Sequence, residues 1–148
     1  MFSLLIAGCT KESITLYKAY IKNETNHQIK VTPYFGGSVY NDKIIILNAG
    51  DSVIIADGYD RGIVNHGGFT PKYFAGCDSL SVIFDNLYPV SHYVITPVSL
   101  YPRHYLYASL RNVANYLGWD YNANDISQHK REAFYLYRFV EQDYLDAK

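Results

Sequence analysis

Five histidines and two cysteines hold most of the chain's nucleophilic and metal-binding capacity, and their spacing decides what chemistry they can do. His27, His66, His92, His104 and His129 are scattered. No two stand four residues apart, as a helical metal face requires, and none neighbours Cys9 or Cys77. Asp57-Gly58-Tyr59-Asp60 has the oxygens of a calcium loop but not its closing glutamate, and Arg61 follows directly. The residues therefore predict no metal and no cofactor. The chain has no G-x-S-x-G elbow, P-loop or dinucleotide fingerprint, so no catalytic set is expected either. His66 is the most site-like histidine, because Gly67 and Gly68 would let a ligand approach the backbone. The same residues are also ordinary turn chemistry. Cys77 follows Ala75-Gly76 with no histidine nearby and reads as a buried, inert thiol.

Aromatic side chains offer a different kind of chemistry. The chain carries 16 tyrosines against a single tryptophan, and Tyr101, Tyr105, Tyr107, Tyr116, Trp119 and Tyr121 fall close together. Such residues either pack on strand faces with their hydroxyls in water or form an exposed platform for a sugar ring or a protein partner. On the second reading Trp119, Tyr121 and Tyr116 are the candidate ligand contacts, together with His66. On the first, Trp119 plugs the core.

The start of the chain carries the most specific signal. Met1 to Gly8 has no charged side chain, and an apolar Leu4-Leu5-Ile6 leads into small Ala7 and Gly8 and then Cys9. Ile6-Ala7-Gly8-Cys9 resembles the lipobox of bacterial lipoproteins. That resemblance implies cleavage before Cys9 and acylation of its thiol. Residues 1–8 are then a signal-peptide remnant, 9–13 the lipidated cysteine and tether, and 14–148 a single domain. Stable attachment follows from two or three acyl chains, where one binds only marginally.

The elements that must position these residues come next. At 148 residues, with 49% hydrophobic and 18% charged, the chain fits one folded domain and no disordered class. A net charge of −1 provides no field for nucleic acid. Ile14–Lys22, Gln28–Phe35, Lys43–Leu47, Ser52–Ala56, Ser79–Asp85 and His92–Thr96 read as strands rich in β-branched and aromatic residues. Pro33 puts the second at an edge or bulge. The near-continuous apolar runs Ile44–Leu47 and Val53–Ile55 read as a central hairpin around Asn48–Asp51. Residues 57–78 read as a long glycine-rich loop. Leu106, Leu110, Val113 and Leu117 predict a short helix over 107–117, capped by Gly118. Glu132–Phe139 reads as a strand and Glu141–Ala147 as a helical turn. The prediction is a mainly all-β chain, a β-sandwich of about seven short strands with one or two short helices in the C-terminal third.

Several segments in order resemble small lipoproteins of Bacteroidetes bacteria. They are the lipobox, the strand leading to Ile21-Lys22-Asn23-Glu24-Thr25, the turn Gly50-Asp51-Ser52, Ser81–Asp85, and Tyr135–Phe139 followed by Glu141–Tyr144. The resemblance implies a lipid-anchored protein of the cell envelope, on an outer membrane, facing the periplasm or the exterior. It implies no particular activity. It also makes Ser52 and Ser79 candidate O-glycosylation sites, since both follow an aspartate and precede an aliphatic residue. Val140 departs from the threonine common in that family, a better helix cap. The expected function is a non-enzymatic binding or interaction module for a glycan or a protein. The alternatives are a small envelope hydrolase with its site in the 57–78 loop, or a purely structural component.

Overall fold

The computed structural model describes residues 12–63 and 72–148. The fold is all-β and sandwich-like, with ten strands and one C-terminal α-helix among the described residues. One sheet has the order β5 (Ser52–Arg61), β1 (Ile14–Asn23), β10 (Lys130–Phe139), β9 (Asp120–Ser127). The other runs β3 (Ser38–Val39), β2 (Ile29–Phe35), β6 (Ser79–Phe84), β7 (Tyr88–Tyr93), β8 (His104–Tyr105), with β4 (Ile45–Leu47) also paired to β2. The first and last strands, β1 and β10, lie parallel and side by side. Helix α1 (Glu141–Ala147) follows β10 directly.

Alternation builds the core. Along β1 every second residue is buried, so Tyr17, Ala19 and Ile21 face inward while Leu16, Lys18, Tyr20 and Lys22 face outward. Tyr135, Tyr137 and Phe139 of β10 meet Leu80, Val82 and Phe84 of β6 across one hydrophobic cluster, with Phe84 and Phe139 edge to face at 6.4 Å. Many of the tyrosines are spent here.

The structure corrects several expectations. The 107–117 helix is absent. That segment is a chain of turns ending in a 3-10 turn at Tyr116–Gly118. Leu106, Leu110 and Leu117 are exposed and only Val113 is buried, so helical spacing there marks no helical face. Asn112, Asn115 and Ser109 instead bond to the backbone: Asn112 Nδ2 donates to the Tyr93 and Tyr105 carbonyls at 2.9 and 3.1 Å, and Asn115 Nδ2 to the Ser109 carbonyl at 3.1 Å. Such side chains compete with helix formation. Gly118 packs so tightly that an added Cβ would lie 2.0 Å from the Leu110 carbonyl oxygen.

Asp57–Arg61 belongs to β5 and not to a loop, which dismantles the calcium-loop reading. Asp57 faces outward, 3.7 Å from Lys18 Nζ, and strand alternation turns Asp60 to the opposite face. The hairpin is a corner, because β4 and β5 join different sheets. Its turn has Gly50 at φ +81° and is tied to the end of β1 by Asn23 N to Asp51 O at 2.9 Å. Both runs are peripheral, leaving Ile46 and Ile54 exposed. Strand β2 is interior, yet Pro33 costs nothing there. Its carbonyl accepts from Tyr40 N, so its ring faces the gap between the short partners β3 and β4. The strand expected at His92–Thr96 is β7, Tyr88–Tyr93, entered by a turn with Asp85 and Asn86 at positive φ. Asn122, Asn124 and Asp125 hid β9 from a propensity reading.

Candidate ligand-binding groove

The outer face of the six-stranded sheet carries a groove of about 480 Å³, within the size range of small-ligand pockets. Its floor follows from the alternation of β6. Leu80 and Val82 point into the core, so Ser79 and Ser81 point out. In register, Tyr34 and Tyr93 flank Ser79, and Ser91 lies beside Ser81. Three serine hydroxyls thus line one floor, with the Tyr34 ring beside them.

The wall is the segment between β7 and β8. Val94 N and Ile95 N both donate to the Asp78 carbonyl, at 2.9 and 3.0 Å. Tyr101 N donates to Tyr93 Oη at 3.1 Å, and Ser91 N to the Arg103 carbonyl at 3.0 Å. These bonds hold Tyr101, Pro102 and Arg103 along the groove, with Tyr101 69% exposed. Among the described residues, Arg103 is the one charged residue of the groove's lining. Its Nη2 donates to the main-chain oxygen of Lys148 at the end of α1. On the opposite side, past Tyr34, Gly37 N donates to Asp78 Oδ2 at 3.0 Å.

Hydroxyls, aromatic faces and a single guanidinium make a surface that can offer hydrogen bonds, stacking and one charge-assisted contact. Among the described residues, no histidine, cysteine or carboxylate lines it.

The sequence-based candidates separate sharply. Trp119 is corrected: it is 3% exposed, its Nε1 donates to the Val113 carbonyl at 3.0 Å, and its ring packs against Tyr137. A side chain so covered touches no ligand from outside. Tyr116 is half-buried against the core. Tyr121 is also half-buried and packs on the Tyr135 ring at 5.1 Å. Of the aromatic stretch 101–121, only Tyr101 reaches the groove. Ser79 lines the groove floor, while Ser52 is exposed on β5 of the other sheet. Cys9 and His66 lie outside the described residues. Tyr34, Ser81, Ser91 and Arg103 were not singled out from sequence; the serine alternation of β6 was the available signal.

Other polar clusters hold the fold. His92 is buried and accepts from Val113 N at 3.0 Å through Nδ1. Burial, then the charge of Arg111, lowers its pKa to about 3, so the ring is neutral. Arg111 Nε donates to Asp143 Oδ1 at 2.8 Å, and Val140 N to Asp143 Oδ2 at 2.8 Å. His27 sits between Asp85 at 2.5 Å and Glu141 at 3.3 Å and stacks on Tyr144 at 3.5 Å. Ser13 Oγ and His129 Nδ1 are 3.4 Å apart, longer than a productive nucleophile–base bond. Burial pushes the free Cys77 thiol up to about 11, which keeps it unreactive. Among the described residues no group of three or more His, Cys, Asp or Glu could hold a metal ion.

No protein-family model, curated protein or solved structure matches the chain.

Proposed function

We propose that this chain is a cell-envelope protein, held to an outer membrane through a lipid on Cys9, whose domain is a non-enzymatic module that binds a saccharide in the groove between β2, β6, β7 and the 101–103 segment. The observation that carries the binding half is the lining itself. Sugars present hydroxyls in register and apolar ring faces. The groove offers three serine hydroxyls on a rigid sheet, with the exposed ring of Tyr101 above them. Rigid strands pre-organise the hydroxyls, which lowers the ordering cost of binding. The envelope half rests on the lipobox-like Ile6-Ala7-Gly8-Cys9.

A glycan array probed with the wild type, Tyr101→Ala and Ser81→Tyr tests the binding half. Tyr101 is exposed, so its truncation should leave melting unchanged while affinity falls roughly tenfold, equivalent to about 1.4 kcal/mol. Ser81→Tyr fills the floor and should abolish binding. A silent array, or variants that bind as the wild type does, rejects the saccharide site. Cleavage of a bound glycan would favour the hydrolase alternative.

A further inference from the structure

We propose that the groove selects saccharides bearing a carboxylate, and that Arg103 is the residue that recognises it. This rests on the saccharide reading above and goes further, to the class of sugar.

The chain as a whole carries a net charge of only −1, yet the groove carries a cation. Its one charged lining residue among those described, Arg103, stands at the β8 side of Ser91. Across the floor, beyond Tyr34 and Ser79, lies the Asp78 carboxylate, already engaged by Gly37 N. Arg103 therefore draws a ligand carboxylate to the β8 end of the groove, away from the Asp78 side.

Arg103 is positioned for this. Its backbone is fixed by the Ser91 bond and by the strand pairing of its neighbour His104. Among the described residues its guanidinium makes one hydrogen bond, to the Lys148 main-chain oxygen. A guanidinium has five N–H donors in a planar fork that fits a carboxylate. The Lys148 contact steadies the fork and leaves donors for a ligand. The serines and Tyr101 would hold the sugar ring while Arg103 takes its acid group. A charge-assisted bond at a solvent-exposed site supports a selectivity of about tenfold rather than thousands.

The array above supplies the probes. Its best-binding glycans are compared with their carboxyl-reduced counterparts, in which the acid becomes a primary alcohol, by titration against the wild type, Arg103→Gln and Arg103→Lys. The expected hits carry a carboxylate, reduction weakens them about tenfold, and Arg103→Gln weakens the acidic form by the same factor while leaving the reduced form unchanged. Arg103→Lys, which keeps the charge but not the fork, should fall between. Melting curves of each variant register any loss from the Lys148 contact. If hits are neutral, or reduction changes nothing, the acid selectivity is wrong while the saccharide site stands. If Arg103→Gln weakens acidic and reduced forms alike, Arg103 is structural and the proposal falls. If nothing on the array binds, both readings fall together.

Discussion

At the scale of single residues, the most consequential buried group is His92. Its folded-state pKa, about 3, lies below the ordinary value of 6.5. The unfolded chain therefore binds more protons than the folded one between those values, and stability rises with pH across that window. Its contribution is complete above about pH 6.5 and is lost as pH falls, by about 1.4 kcal/mol per unit. Burial raises the Asp143 pKa, which gives an opposing slope just above its ordinary range. Comparison of variants isolates the histidine. Urea denaturation at pH 8, 6 and 5 should show the wild type weakening with acid and His92→Gln weakening less steeply. Parallel slopes would mean that His92 is not the acid-sensitive group. Trp119 carries a related lesson: composition makes a lone tryptophan attractive as a ligand platform, but its indole N–H already has a buried carbonyl partner.

At the scale of elements, α1 shows how a weak helix is held. Seven residues are too few for an isolated helix, and Val140 has no side-chain acceptor for its first turn. Asp143 compensates by accepting from Val140 N, and the same carboxylate takes Arg111 from the irregular 105–119 segment. One side chain thus joins the helix start to the turns that replace the expected helix. Asp143→Ala should cost about 1–3 kcal/mol and speed hydrogen exchange in α1. In a double-mutant cycle with Arg111→Ala, the second substitution should cost less than it does alone. Strict additivity would show that the two segments are not coupled. The groove wall depends on the same logic, since the backbones of Tyr101 and Arg103 are placed by hydrogen bonds to β7 and the Arg103 side chain by the end of α1.

At the scale of the whole molecule, the proposed attachment point and the groove belong to different sheets. β1 begins at Ile14, five residues after Cys9, in the four-stranded sheet, while the groove lies on the outer face of the six-stranded sheet. Ligand binding and attachment would then use different sheets. Metabolic labelling with a fatty acid in the native host should mark the wild-type protein and not Cys9→Ser. Equal labelling of both would remove the lipid anchor from the account and leave the groove untouched.

What could be read from the residues alone was local and periodic. The strands at Ile14–Lys22 and Glu132–Phe139 follow from β-branched and aromatic content and the one at Ser79–Asp85 from its alternation, because propensity and a period of two are written into adjacent positions. The alternation of β6 also puts Ser79 and Ser81 on one polar face, but Ser91 fell outside the strand read at His92–Thr96 and was not legible as part of the same floor. Long-range pairing was not legible either. That β1 lies parallel to β10, that β4 and β5 part to different sheets, and that Tyr34 and Tyr101 line one groove with Ser79 and Ser81 are decided by contacts between residues far apart in the chain. The 105–119 segment shows the limit most clearly. Its leucines have helical spacing, but Asn112 and Asn115 turn their side chains onto the Tyr93 and Ser109 carbonyls, and from elsewhere in the fold Tyr137 donates to the Arg111 carbonyl and Asp143 accepts from its guanidinium. Those tertiary bonds outweigh a helical preference that is weak in so short a stretch.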